Sequence, residues 1–257
     1  MSCVGCASAL ASQPPDVGVT VNEKSVKRWV LSQCVVCSKT MLEDRHDVRT
    51  GESHGLRAAD PTVHVLRGLL TAADVATLRA AAAELVSQTP LGYDNTLRRL
   101  ASEEMPFGLH APHESIFMHA DNVAARSVAS VAIGKAVSAL RHIDHVRQGR
   151  QRQLGVRTIE FHTYRVGGGL LDPDHCDMGS ALTLSCLLSD PTEVTGGAFV
   201  TFDAQRAPSN HADLALGDAV VFDSELRHNV QPVLKGIRHS LVVEVWEGPD
   251  NKHDRHT

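Results

Sequence analysis

Three side chains that can bind a metal stand close to two that can bind an anion. The chain reads His175-Cys176-Asp177, later His228, and then Arg238-His239-Ser240. Two imidazoles and one carboxylate fill one face of an octahedron around a cation such as Fe(II) and leave three positions open. In an extended segment residues i and i+2 point to the same side, so His175 and Asp177 converge while Cys176 points away. A third ligand then has to arrive from another segment, and His228 follows Asp218 to Phe222, which reads as a strand. Arg238 and Ser240 stand in the same i, i+2 relation. A planar guanidinium fork with a hydroxyl beside it is what a carboxylate clamp requires.

Each feature has a plainer reading. His-x-Asp is a short pattern in a chain with 15 histidines, and Asp172, Pro173 and Asp174 just upstream suit a surface turn. Arg238 could equally pair with a surface carboxylate.

The elements that would position these residues are short. Val156 to Tyr164, Leu182 to Leu188, Ala198 to Phe202, Asp218 to Phe222 and Ile237 to Trp246 are rich in β-branched or aromatic residues and separated by turn formers, which predicts a sandwich or small barrel. Upstream, Val63 to Leu66 alternates like a strand. Thr71 and Asp74 form a capping box for a helix that puts Val75, Leu78, Ala82 and Leu85 on one face and ends before Pro90. A second helix is expected from Ala124 to His142, with Ala129, Ile133, Ala136, Val137 and Leu140 on one side. Between the helices, Leu91 to Arg126 has little periodicity and reads either as a lid or as irregular strands at a barrel edge. Arg147, Arg150, Arg152 and Arg157 could meet phosphate or an acidic peptide, or simply solvate a helix-to-strand connection.

The metal pattern, the downstream arginine and the intervening Gly196-Gly197 together resemble the Fe(II)/2-oxoglutarate dioxygenases, most closely the prolyl-4-hydroxylase-like branch. The resemblance covers roughly residues 62 to 247. It implies a mainly β fold with supporting helices, a double-stranded β-helix (jelly-roll) core preceded by a strand and α-helices. It also implies Fe(II) on His175, Asp177 and His228, and 2-oxoglutarate on Arg238 and Ser240, with O2 as cosubstrate and ascorbate admitted. The family's basic residue lies about ten positions beyond its distal histidine, as Arg238 does from His228. Many prolyl-4-hydroxylases have lysine there, so arginine followed by serine fits the wider family better.

Tyr164-Arg165-Val166-Gly167-Gly168-Gly169 resembles the tyrosine- and glycine-containing segment before the metal motif, although it stands one or two residues farther from it. Thr183 occupies the family's threonine position. Both are therefore further candidates for the cosubstrate, while Gly196-Gly197 reads as a structural turn and Trp246 as core. The implied reaction hydroxylates an unactivated C–H bond, a peptidyl proline for example, and releases succinate and CO2. A cupin-like metal enzyme without 2-oxoglutarate, or a catalytically silent jelly-roll binding scaffold, are the alternatives. Arg238 and Ser240 discriminate the first of these, because only a 2-oxoglutarate enzyme needs the clamp.

With 257 residues, 42% of them apolar, the chain can bury one good core, expected at 61–257 behind a mostly loop extension at 1–60. A net charge of -5 provides no general attraction to nucleic acid or anionic membrane. No apolar run is long enough to span a bilayer and no signal-peptide pattern opens the chain, which leads to the expectation of an intracellular, cytoplasmic protein. The substrate is expected to be a peptide or a small molecule, but no loop motif says which. Cys3-x-x-Cys6 and Cys34-x-x-Cys37 are candidate zinc knuckles, against free thiols on a loose tail. Cys176 and Cys186 read as ordinary buried thiols.

Overall fold

From position 155 onward, period-two runs broken by glycine and proline build antiparallel strands, and two amphipathic helices cover one side of them. The computed structural model describes residues 31–33, 40–42, 63–90, 98–101, 112–119, 128–149, 152–172 and 174–251. The chain divides into two units, Met1–Gly55 and Leu56–Thr257. In the first, β1 (Leu31–Gln33) and β2 (Thr40–Leu42) pair antiparallel. Cys3, Cys6, Cys34 and Cys37 lie outside the described residues, as does most of the expected 1–60 extension.

The second unit runs β3 (His64–Leu66), α1 (Ala72–Gln88), β4 (Arg98–Ala101), β5 (His113–Phe117), α2 (Ser130–Gln148), β6 (Gly155–Tyr164), β7 (Leu182–Leu187), β8 (Thr195–Gly196), β9 (Phe199–Phe202), β10 (Pro208–Asn210), β11 (Ala219–Asp223), β12 (His228–Val230), β13 (Val233–Lys235) and β14 (Arg238–Trp246). Seven strands form one sheet in the order β3-β11-β7-β14-β6-β5-β4. The smaller sheets are β10-β9-β12 and β13-β8. This mostly antiparallel arrangement is the jelly-roll expected.

Alternation assigns each face of the large sheet. Ile159, Phe161, Leu184, Cys186, Leu241 and Val243 face one way and share a core with Val75 and Leu78 of α1 and Ile133 and Leu140 of α2. Each fully buried leucine there contributes about 1.5–3 kcal/mol. Tyr164, Val220 and Phe222 face the other way and pack with Phe199, Val230 and Val233 of the small sheets. The second face also carries the polar residues of β6, β7 and β14, so it is the side on which chemistry can be built.

Thr71 caps α1 as expected: its hydroxyl accepts from the Asp74 N–H while its own N–H donates to Asp74. Lys135 of α2 reaches Asp74 at 2.6 Å and ties the helices together. The second helix differs from expectation, starting at Ser130 and continuing to Gln148. Its extra turn buries Ile143 and Asp144, and Gly149 at φ 63° then ends it. Arg152 folds back onto the buried Asp144 carboxylate at 3.0 Å. In the stretch between the helices, β4 and β5 extend the large sheet to its edge. β4 is the edge strand and β5 lies between it and β6, in line with the plainer of the two readings.

Candidate active site

His175 and Asp177 lie on the irregular segment between β6 and β7, and His228 is the first residue of β12. Their ligand atoms all lie within 4.8 Å of one another, the only such metal-binding group among the described residues. His175 Nε2 stands 3.4 Å from Asp177 Oδ1, and His228 Nε2 stands 3.6 Å from Oδ2. The imidazoles meet edge to face with centroids 4.8 Å apart. Asp177 and His228 are buried and His175 is partly exposed, so the group opens toward solvent on one side.

The neighbours of these residues explain the convergence. The His228 N–H donates to the His175 carbonyl at 3.1 Å and the Asp177 N–H to the Ser224 carbonyl at 2.7 Å, which joins the two ligand-bearing segments by backbone. His228 Nδ1 lies 3.0 Å from the Leu226 carbonyl. A carbonyl only accepts, so Nδ1 carries the proton and Nε2 presents its lone pair to the centre. Thr183 on β7 donates to Asp177 Oδ2 at 2.9 Å and meets the Ser224 hydroxyl at 2.9 Å. The hydroxyl expected at the cosubstrate thus lies against the Asp177 carboxylate. Arg227 Nε donates to Asp174 at 3.1 Å and adds a side-chain tie one residue from each histidine.

Arg238 opens β14 and is only 2% exposed. Burial pulls its guanidinium below the usual arginine range. Its Nη1 is buried and finds no hydrogen-bond partner among the described residues, and its carbon Cζ lies 5.4 Å from the centre of the Tyr164 ring. A buried cation with a donor to spare is costly unless an anion completes it. The donor set suits a carboxylate: a guanidinium fork, with the buried Ser240 hydroxyl one alternation further along the strand. Tyr164 sits directly across from Arg238 in the β14–β6 register. Burial pushes its phenol well above the ordinary value, so it remains an O–H donor at neutral pH.

The remaining candidates fall elsewhere. Arg147 makes a bidentate pair with Asp223 at 2.9 and 2.8 Å, Arg152 binds Asp144, and Arg157 donates to the Met178 carbonyl at 2.6 Å and to Ser180 at 2.9 Å. All three are half-buried and bound to other parts of the fold, and Arg150 lies outside the described residues. Trp246 is half-buried, donates to the Pro249 carbonyl at 2.8 Å and lies beneath Arg157. Cys186 is buried, with its thiol pushed up to about 12 by desolvation; Cys176 is half-buried. Sequence reasoning missed Ser224 and His113, whose partners lie far along the chain, and Leu226, whose backbone carbonyl rather than its side chain meets His228.

Neither a family model nor a curated protein sequence matches this chain. Solved structures do. A prolyl-4-hydroxylase from Pseudomonas putida is 19% identical with a TM-score of 0.51, covering 72% of this chain and 92% of its own. An oxidoreductase of the 2OG-Fe(II) oxygenase family from Burkholderia pseudomallei is 16% identical with a TM-score of 0.52, covering 75% and 88%. A non-heme alpha ketoglutarate dependent carbocyclase, SnoK from nogalamycin biosynthesis, is 13% identical with a TM-score of 0.52, covering 72% and 79%. The chain has the jelly-roll fold of these 2-oxoglutarate oxygenases.

Proposed function

We propose that this chain is an Fe(II)- and 2-oxoglutarate-dependent oxygenase of the prolyl-hydroxylase-like branch, hydroxylating an unactivated C–H bond. The observation that carries the reading is the pairing of a three-ligand metal centre with a buried, incompletely satisfied arginine on the same side of the sheet. A cupin-like enzyme without 2-oxoglutarate would have no use for Arg238 in that position.

His175, Asp177 and His228 would hold iron on one face and leave three positions for cosubstrates. Bound iron with 2-oxoglutarate and O2 supplies the oxidation and releases succinate and CO2. The chain's own work is positional. Leu226 sets the His228 tautomer and Thr183 steadies the Asp177 carboxylate. Arg238 and Ser240 take the distal carboxylate, and the Tyr164 phenol stands beside them as a further donor. Phe199 and Phe222, whose rings pack at 5.7 and 4.7 Å from His228, keep water from that side of the centre.

Peptidyl proline is the substrate we propose, because a prolyl-4-hydroxylase shares the fold. A carbocyclase shares it too, so small molecules form the competing arm of the test. The test begins with an anaerobic Fe(II) titration with and without 2-oxoglutarate, following the visible charge-transfer band of a chelated 2-oxo acid. The band is expected in the wild type and absent in His175→Ala. Iron binding without the band would remove the 2-oxoglutarate assignment. Succinate release would then be compared with proline-rich peptides and with small-molecule candidates, and no stimulation by the peptides would remove the prolyl substrate.

A further inference from the structure

His113, His162 and Glu160 on the site face have no part in the scheme above, yet they adjoin two residues that do. Tyr164 of β6 has Arg238 of β14 as its register partner on one side and His113 of β5 as its partner on the other. The His113 and Tyr164 rings are nearly parallel, 7° apart in plane and 4.2 Å between centroids. Arg238, Tyr164 and His113 thus form one row across three neighbouring strands, a guanidinium and an imidazole flanking a phenol ring.

His113 is itself anchored. Its Nε2 meets His162 Nδ1 at 2.7 Å, and His162 Nε2 stands 3.2 Å from the carboxylate of buried Glu160. With Glu160 ionised, His162 donates to it through Nε2 and accepts at Nδ1 from His113 Nε2–H. That order fixes the plane of the His113 ring and therefore the flat surface it offers Tyr164. Thr158 closes the chain at its inner end with a hydrogen bond to Glu160 at 3.2 Å. Two charged or polar side chains inside a sheet are expensive to bury, and a chain this well paired is an investment in fixing something.

We infer that His113 is a positioning residue for cosubstrate binding: held by His162 and Glu160, it stacks on Tyr164 and thereby fixes both the phenol and the Arg238 guanidinium toward the 2-oxoglutarate carboxylate. The inference rests on the clamp reading above. Without the stack, the Tyr164 ring would lose the flat surface that sets its angle on the β5 side, and Arg238 would lose part of the support under it. The metal ligands stand on other segments, so iron binding does not depend on the row.

The test uses the full chain and measures two affinities separately, Fe(II) alone and then 2-oxoglutarate on the Fe(II) protein by the anaerobic band. Four variants are compared: His113→Leu, His113→Phe, Tyr164→Leu and the His113→Leu/Tyr164→Leu double. Loss of the ring face in His113→Leu should weaken 2-oxoglutarate about fivefold and leave Fe(II) affinity unchanged. His113→Phe keeps the flat ring but loses the bond to His162, and should recover only part of that loss. In the Tyr164→Leu background, His113→Leu should have no further effect, because the route runs through the phenol ring. An unchanged affinity in His113→Leu, a Phe variant as weak as Leu, or additive losses in the double would each overturn the inference while leaving the oxygenase reading intact. A wild type that binds Fe(II) but no 2-oxoglutarate would overturn both.

Discussion

A Cβ placed on Gly197 would stand 2.8 Å from Cδ of Arg238. Gly197 has φ 68°, so two requirements coincide there: a left-handed backbone at the start of the turn into β9, and bare space for a buried guanidinium stem. The Gly196-Gly197 pair expected to be only a turn also borders the Arg238 side chain. Arg238 is enclosed on that side by a glycine and on another by the Tyr164 ring.

Gly197→Ala should therefore act on both stability and binding. The positive φ alone costs roughly 1–2 kcal/mol with a side chain, and the methyl displaces an arginine that is nearly fully buried. We expect a lower melting temperature and at least tenfold weaker 2-oxoglutarate binding, with Fe(II) affinity retained. A variant that melts early but binds 2-oxoglutarate normally would show that Arg238 has room the structure does not show.

Arg238→Met separates function from stability in the opposite sense. The guanidinium is buried with an unsatisfied Nη1, so an apolar chain of similar length should stabilise the ligand-free protein by about 1 kcal/mol or more. The same change should abolish the 2-oxoglutarate charge-transfer band. Denaturant unfolding and the anaerobic titration read the two effects, and a destabilised Met variant would mean that the arginine serves the fold.

Thr183→Val removes the hydroxyl held between Asp177 and Ser224 without changing side-chain shape much. Second-layer partners of metal ligands are worth about tenfold in affinity, so Fe(II) binding should weaken by that order. The strand itself should be intact, because valine favours β structure at least as well as threonine. Isothermal titration with Fe(II) under anaerobic conditions decides it. Unchanged affinity would return Thr183 to a purely structural role or to the cosubstrate contact expected from sequence.

His239 ties stability to pH. Burial, with Arg79, Arg165 and Arg238 nearby, lowers its pKa to about 4. In the unfolded chain a histidine titrates near 6.5, so between those values the unfolded state binds a proton that the folded state refuses. The contribution is complete above pH of about 6.5 and is lost progressively as pH falls toward about 4. The unfolding free energy of wild type should fall relative to that of His239→Gln as pH drops through this window. Parallel profiles would show that His239 protonates freely in the fold.

Much of the scaffold is written locally. The strands from β6 onward follow from period-two runs between turn residues, and the Thr71–Asp74 box from a three-residue spacing, because both patterns depend only on neighbours in the chain. The same local rule puts Arg238 with Ser240 on a shared side of extended backbone. Where the partner lies far along the chain, local pattern falls silent. The edge strand β4 and its neighbour β5 are short, and β5 is of mixed polarity, so neither declares a period. The last turn of α2 is stable because Asp144 meets Arg152 across a bend.

The site shows the same division more sharply. Residue types alone nominate His175, Asp177, His228 and Arg238, since few side chains can bind a cation or clamp a carboxylate. Their partners are chosen by register and topology. Thr183 prefers a strand whatever lies beside it, and only the course of the 174–177 segment past β7 puts Asp177 within its reach. Gly197 meets Arg238, and His113 meets Tyr164, because strands separated by long stretches of chain are hydrogen-bonded or packed at one particular alignment. A shift of one residue would turn each of these side chains to the opposite face, and that alignment is settled by the packing of the whole sheet rather than by any short run of residues.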